Sequence, residues 1–144
     1  MTDMAAAMGL GQLGRSADIL ARRKEIIEHY DAAFRPLGVE TLPHFTDTYR
    51  SSGHLYLTRI PGISTEQRQE IIVKMAEAGI ACNVHYKPLP MMTAYKNLGF
   101  DIADYPNAYD HFANEITLPL HTCLSDEDVA YIIAHYTEIL KDYI

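Results

Sequence analysis

The residues best able to do chemistry gather in three short blocks beyond residue 52. The first is "VHYKPLP", residues 84–90. His85 and Tyr86 stand at the end of an expected strand, and the prolines behind them fix the direction of the chain, so their side chains point to solvent or into a cleft. In a cleft they would contact a ligand; otherwise His85 caps the strand and Tyr86 packs. The second block is "GHLY", residues 53–56. Alternation along a strand places His54, Tyr56 and Thr58 on one face and Leu55, Leu57 and Arg59 on the other. A buried, hydrogen-bonded ring is expected for His54, rather than a catalytic one. In the third block, "LPLHTCLSDED", His121 follows a strand and could face the cleft, while Ser125 and the acidic residues cap and charge the first turn of a helix.

Spacing alone also offers a metal site. Cys82 with His85, and His121 with Cys123, would give zinc two nitrogen and two sulfur ligands. However, alternation sends Cys82 and His85 to opposite faces of their strand, and neither pair has knuckle glycines or a repeated Cys-x-x-Cys. No metal is expected.

The elements that must position these residues follow from pattern and caps. Thr2 and Asp3 offer an N-cap to a helix at the start of the chain. It carries Gly9, Gly11 and Gly14, each costing about 1 kcal/mol relative to alanine, and almost no charge before Arg15. Such a helix suits close packing against another domain or subunit. Ser16 is expected to cap a second, amphipathic helix striped by Ile19, Leu20, Ile26, Ile27, Tyr30 and Phe34 and ended by Pro36 and Gly38. Residues 39–52 read as a loop or irregular strand. Strands are expected at 54–60, 80–86 and 116–120. A Ser64/Gln67 capping box and Gly79 bound a helix between the first two strands. Two short helices follow, one stopped by Gly99 and one begun at Pro106. Ser125 with Asp128 opens the last helix, striped by Val129, Ile132, Ile133, Tyr136, Ile139 and Leu140. The order gives an α/β two-layer sandwich: a small three- to four-stranded sheet covered by helices and preceded by two N-terminal helices. The expected division is connecting helices at 1–38 and a small α/β domain at 39–144.

Composition narrows the partners. A chain of 144 residues, 48% of them apolar, can bury a sizeable core as one domain. A net charge of −7 argues against nucleic acid and anionic membranes. The basic cluster Arg22, Arg23 and Lys24 is followed by Glu25 and Glu28, the pattern of a solvated helix face. Two distant cysteines with no signal peptide ahead of them point to a reducing cytoplasm, and no apolar run approaches the ~20 residues of a membrane span.

Taken in order, "SSGHLYLTRIPG", "AGIACNVHYKPLPMMTAYKNLGF" and "DYPNAYDHFANEITLPLHTCLSDEDVAYII" resemble the small C-terminal domain of the DegT/StrS sugar aminotransferases. "MTDMAAAMGLGQLGR" resembles the helix that follows this family's "NYR" loop at the dimer interface. The resemblance covers nearly the whole chain. It implies the small domain of a fold-type I aminotransferase, a homodimer, and pyridoxal phosphate as cofactor of the full-length enzyme. The implied reaction converts a nucleotide-linked keto sugar to an amino sugar for cell-surface polysaccharide or related biosynthesis. The resemblance sets His85, Tyr86, Lys87 and Pro88 near the sugar substrate and His54 in a signature block. Pro90 departs from it, standing where the family frequently has a histidine.

The family's cofactor domain would lie upstream, so a fragment is expected. Transamination needs a Schiff-base lysine, an acid at the pyridinium nitrogen and donors around the phosphate. Lys24, Lys74, Lys96 and Lys141 fall on helix faces or ends and Lys87 in the proline loop, none of them in the serine- and histidine-containing loop that bears the family's lysine. No catalytic residue, no bound cofactor and no transaminase activity are expected of this chain alone. The alternative is a stand-alone binding module that docks through its apolar first helix.

Overall fold

The computed structural model describes residues 1–144. Helix α1, Asp3–Gly14, begins where Thr2 Oγ1 accepts the Ala5 N–H. It buries no residue: Met4, Met8, Leu10 and Leu13 are 80, 72, 70 and 67% exposed. A Cβ added at Gly9, Gly11 or Gly14 would meet nothing within 4 Å, so no part of this chain makes the close approach those glycines permit.

Helix α2, Ser16–Phe34, follows after a single residue. Ser16 therefore lies inside the helix instead of capping it. Arg15 takes the cap position without a side-chain bond, because the backbone runs on from α1: its N–H donates to Gln12 O and its carbonyl accepts from Ile19 N–H. The expected stripe is buried from Ile26 onward, with Ile27, Tyr30 and Phe34, whereas Leu20 is exposed. A 3₁₀ turn at Arg35–Leu37 and Gly38, at φ 83°, end the run.

Three short strands form one antiparallel sheet in the order β1 (Glu40–Thr41), β2 (Tyr56–Arg59) and β3 (Glu115–Leu118). Tyr56 pairs with Leu118 and Thr58 with Ile116, and all four are buried under the helices. Leu57 pairs with Thr117 and Arg59 with Glu115, which by alternation share the opposite face. β2 starts two residues later than its alternation suggests. Beyond Tyr56 the facing residue would be Pro119, which has no N–H to give a ladder, so His54 falls outside the strand and is exposed. The buried, hydrogen-bonded ring expected of His54 is not found.

The strand expected at 80–86 reduces to one bridge. Asn83 and Thr117 exchange N–H···O bonds of 3.1 and 2.8 Å, but side chains take the next two backbone donors. Asn83 Oδ1 accepts the Val84 N–H and Glu115 Oε2 accepts the His85 N–H, and that competition stops the ladder. The sheet therefore has three strands.

Helix α3, Thr65–Glu77, starts with the expected capping box of Ser64 and Gln67, and helix α6, Asp126–Leu140, opens at Ser125 and Asp128 with the same reciprocal bonding. Between them lie α4, Thr93–Asn97, and α5, Pro106–Ala113. The core joins Tyr30 and Phe34 of α2, Tyr56 and Ile116 of the sheet, Ile71 and Met75 of α3, and Val129, Ile132, Tyr136 and Leu140 of α6. Phe34 meets Tyr136 edge-on at 5.1 Å, and the Tyr30 hydroxyl donates to Pro119 O at 3.0 Å. Arg22 ties α2 to the start of α6, donating to Leu124 O and pairing with Asp126, both at 2.7 Å. No helix is long and apolar enough to cross a membrane.

Candidate functional site

The sheet face turned away from the core carries a carboxylate that is 0% exposed, Glu115. A buried charge is costly unless its oxygens are satisfied, and here both are. Thr117 donates its hydroxyl to Oε1, and the backbone N–H of His85 donates to Oε2 at 2.8 Å. Burial pushes the Glu115 carboxyl above the usual range, and these two hydrogen bonds pull it back. Arg68 is also buried. It gives Nη1 to Phe112 O at 2.6 Å, lies over the Phe112 ring at 4.7 Å, and is lowered by burial against the opposing charge of Glu115.

His85 is anchored to this group twice, by its backbone N–H and by its ring, whose Nδ1 lies 2.9 Å from Thr117 Oγ1. The His85–Tyr86 peptide is cis, and the two rings meet edge-on at 4.5 Å. His85 is half-buried, while Tyr86 is 69% exposed and Lys87 is exposed. Pro88 is half-buried and leads into a 3₁₀ turn at Leu89–Met91 that holds Pro90. The result is a fixed imidazole with an exposed phenol and ammonium beside it, an arrangement suited to gripping a polar ligand.

The other expected residues lie elsewhere. His54 borders a separate hollow of 380 Å³ with Pro43, His44, Tyr49 and Leu57. His121 and Cys123 border another, of 570 Å³, with Pro119, Asp128 and Tyr131. Cys82 packs half-buried against the core, where burial pushes its thiol up to about 12, and no three His, Cys, Asp or Glu side chains converge as metal ligands would. Glu115 and Thr117 were missed by the sequence reading. The available signal was an acid at the head of the apolar run "EITLPL", with Thr117 two residues on and therefore on the same face.

Residues 1–137 match the DegT/DnrJ/EryC1/StrS aminotransferase family. The chain belongs to this family. SpsC, a spore coat polysaccharide biosynthesis protein of Bacillus subtilis, is 34% identical over 147 residues, covering 98% of this chain and 37% of SpsC. Spr1654 of Streptococcus pneumoniae, assigned as a sugar aminotransferase and solved in apo, PMP and PLP forms, is similar throughout. Its PMP form superposes with a TM-score of 0.96 at 54% identity, covering 100% of this chain and 36% of Spr1654. PseC of Helicobacter pylori, an aminotransferase involved in the biosynthesis of pseudoaminic acid, gives 0.80 at 29%, covering 95% and 37%. This DegT-family chain thus spans a little over a third of the length of these relatives.

The residues present do not assemble a pyridoxal phosphate site. No lysine is buried, and three are engaged on helix surfaces: Lys24 with Glu28 at 3.4 Å, Lys74 with Asp142 at 3.0 Å and Lys141 with Glu138 at 2.5 Å. Lys87 and Lys96 are exposed. None is enclosed beside an acid and a set of phosphate donors, as the Schiff-base chemistry demands.

Proposed function

We propose that this chain is the small-domain part of a pyridoxal-phosphate-dependent aminotransferase that converts a nucleotide-linked keto sugar to an amino sugar, with the cofactor and its lysine held by the remaining length of the enzyme. One observation carries the proposal: in a chain that matches the family over 137 residues, a histidine anchored by both backbone and ring and a largely exposed phenol stand side by side on the loop after Asn83. In this role His85 and Tyr86 hold hydroxyls of the sugar, Lys87 offers a cation to the nucleotide's phosphates, and Pro88 fixes the loop. His54 is kept as a second substrate-side position through its place in the "GHLY" block.

Residues 1–38 serve in this enzyme as connecting helices, with α2 seated in the core and α1 reaching to the large domain and to a second subunit of a homodimer. The exposed apolar side chains of α1 and its open glycines support that role. Two free cysteines suit a reducing, cytoplasmic setting.

The test is a chimera in which this chain replaces the matching segment of Spr1654, assayed for amino transfer to a nucleotide-linked keto sugar from an amino-acid donor. The chimera is expected to turn over and to lose activity with His85→Ala or Tyr86→Phe. The chain alone should show no aldimine absorption with pyridoxal phosphate and release no keto acid from glutamate. A folded, cofactor-loaded chimera without turnover, or turnover by the chain alone, would overturn the proposal.

A further inference from the structure

We propose that Glu115 and Thr117 are positioning residues that keep the His85 ring proton on Nδ1 and so present Nε2 to the ligand as a hydrogen-bond acceptor. The inference rests on proton counting. A threonine hydroxyl has one proton to give and two lone pairs to offer. Thr117 gives its proton to Glu115 Oε1, so toward His85 its oxygen can only accept, and the donor across the 2.9 Å contact must be Nδ1–H. Glu115 cannot reverse this order while ionised, because a carboxylate has no proton to donate, and its other oxygen already accepts the backbone N–H of His85. One buried carboxylate thus sets the position of the histidine through its backbone and, through Thr117, the tautomer of its ring. Nε2 takes no partner within the chain, and His85 is only half-buried.

An unprotonated Nε2 accepts; it does not donate. The complementary ligand group is therefore an O–H or N–H, and a sugar hydroxyl fits. The identity of the ligand rests on the function proposed above. The tautomer is a property of this chain and can be measured without activity.

The experiment is a long-range ¹H–¹⁵N correlation of the histidine rings in the ¹⁵N-labelled chain, at a pH well above the ordinary imidazole range. His85 should carry its proton on Nδ1. In Glu115→Gln an NH₂ group replaces one of the two oxygens, so only one of the two donors keeps an acceptor at its place. The glutamine will take the backbone N–H, turn its NH₂ to Thr117, and force the threonine proton onto Nδ1, so the His85 proton should move to Nε2. Thr117→Val should abolish the Nδ1–H preference and Thr117→Ser should restore it, and this pair decides the matter if the glutamine variant does not fold. A wild-type ring protonated on Nε2, a Glu115→Gln ring still protonated on Nδ1, or a Thr117→Val ring indistinguishable from wild type would overturn the proposal. An inactive chimera would leave it standing.

Discussion

Replacing Tyr136 by phenylalanine should destabilise the wild-type chain by about 1 kcal/mol, yet be neutral or stabilising once Thr58 is valine. The Tyr136 hydroxyl lies 2.8 Å from Thr58 Oγ1, and Thr58 donates its only proton to Ile116 O at 2.7 Å. Tyr136 must therefore be the donor. Removing its hydroxyl costs one net hydrogen bond, because Thr58 keeps its own. Removing the Thr58 hydroxyl instead leaves the Tyr136 O–H fully buried with nothing to accept it, at a cost of about 1–3 kcal/mol for the stranded donor. Taking away the stranded group then returns that penalty, so the second substitution changes sign. The assay is urea unfolding of wild type, Tyr136→Phe, Thr58→Val and the double variant, with thermal midpoints alongside. For a chain of this size each kcal/mol moves the midpoint by about 2–4 °C. A coupling energy of at least about 1 kcal/mol is expected. If Tyr136→Phe costs the same in both backgrounds, to within about 0.3 kcal/mol, the proton order in this buried pair is wrong.

Two further outcomes follow from buried and exposed extremes of the chain. His44 is 5% exposed, stacks on Tyr56 at 5.9 Å, has no partner for Nε2, and is pushed by burial below the ordinary imidazole range. Its neutral form is the one the fold accepts, so its contribution to stability is complete above the unfolded value and is lost as pH falls from there toward the lowered folded value. His44→Phe should accordingly flatten the stability curve below about pH 6.5, as read by urea midpoints; an unchanged slope would contradict the assignment. On α1, the exposed Met4, Met8, Leu10 and Leu13 should drive self-association of the isolated chain, since each buried side chain of this size is worth roughly 1.5–3 kcal/mol. Sedimentation at several concentrations should show a dimer that Leu10→Lys dissolves, and a monomer throughout would refute the claim.

Local chemistry was the legible part of the sequence. Both capping boxes involve residues three apart, and Gly79 and Gly99 stop helices through their own positive φ, so nothing distant had to be known. The errors in the sheet share one cause, a partner far along the chain. Where β2 begins depends on Pro119, and whether residues 80–86 form a strand depends on Glu115 taking the His85 N–H. The candidate site divides the same way. "VHYKPLP" announces itself by prolines behind a histidine and a tyrosine, but Glu115 becomes meaningful only when the free edge of β3 is known to pair with Asn83, which brings the His85 N–H to the carboxylate.

The pairing of α2 with α6 also bears on how the chain is made. Tyr30 reaches a carbonyl 89 residues downstream, and Phe34 waits for a ring on the last helix. During synthesis the apolar side of α2 emerges from the ribosome long before α6 exists to cover it. Closure is therefore a late event, and until then the nascent chain shows a sticky stripe that chaperones would recognise. Ribosomes stalled before Val129 should carry a protease-sensitive chain, and release of the final helix should bring resistance in a single step.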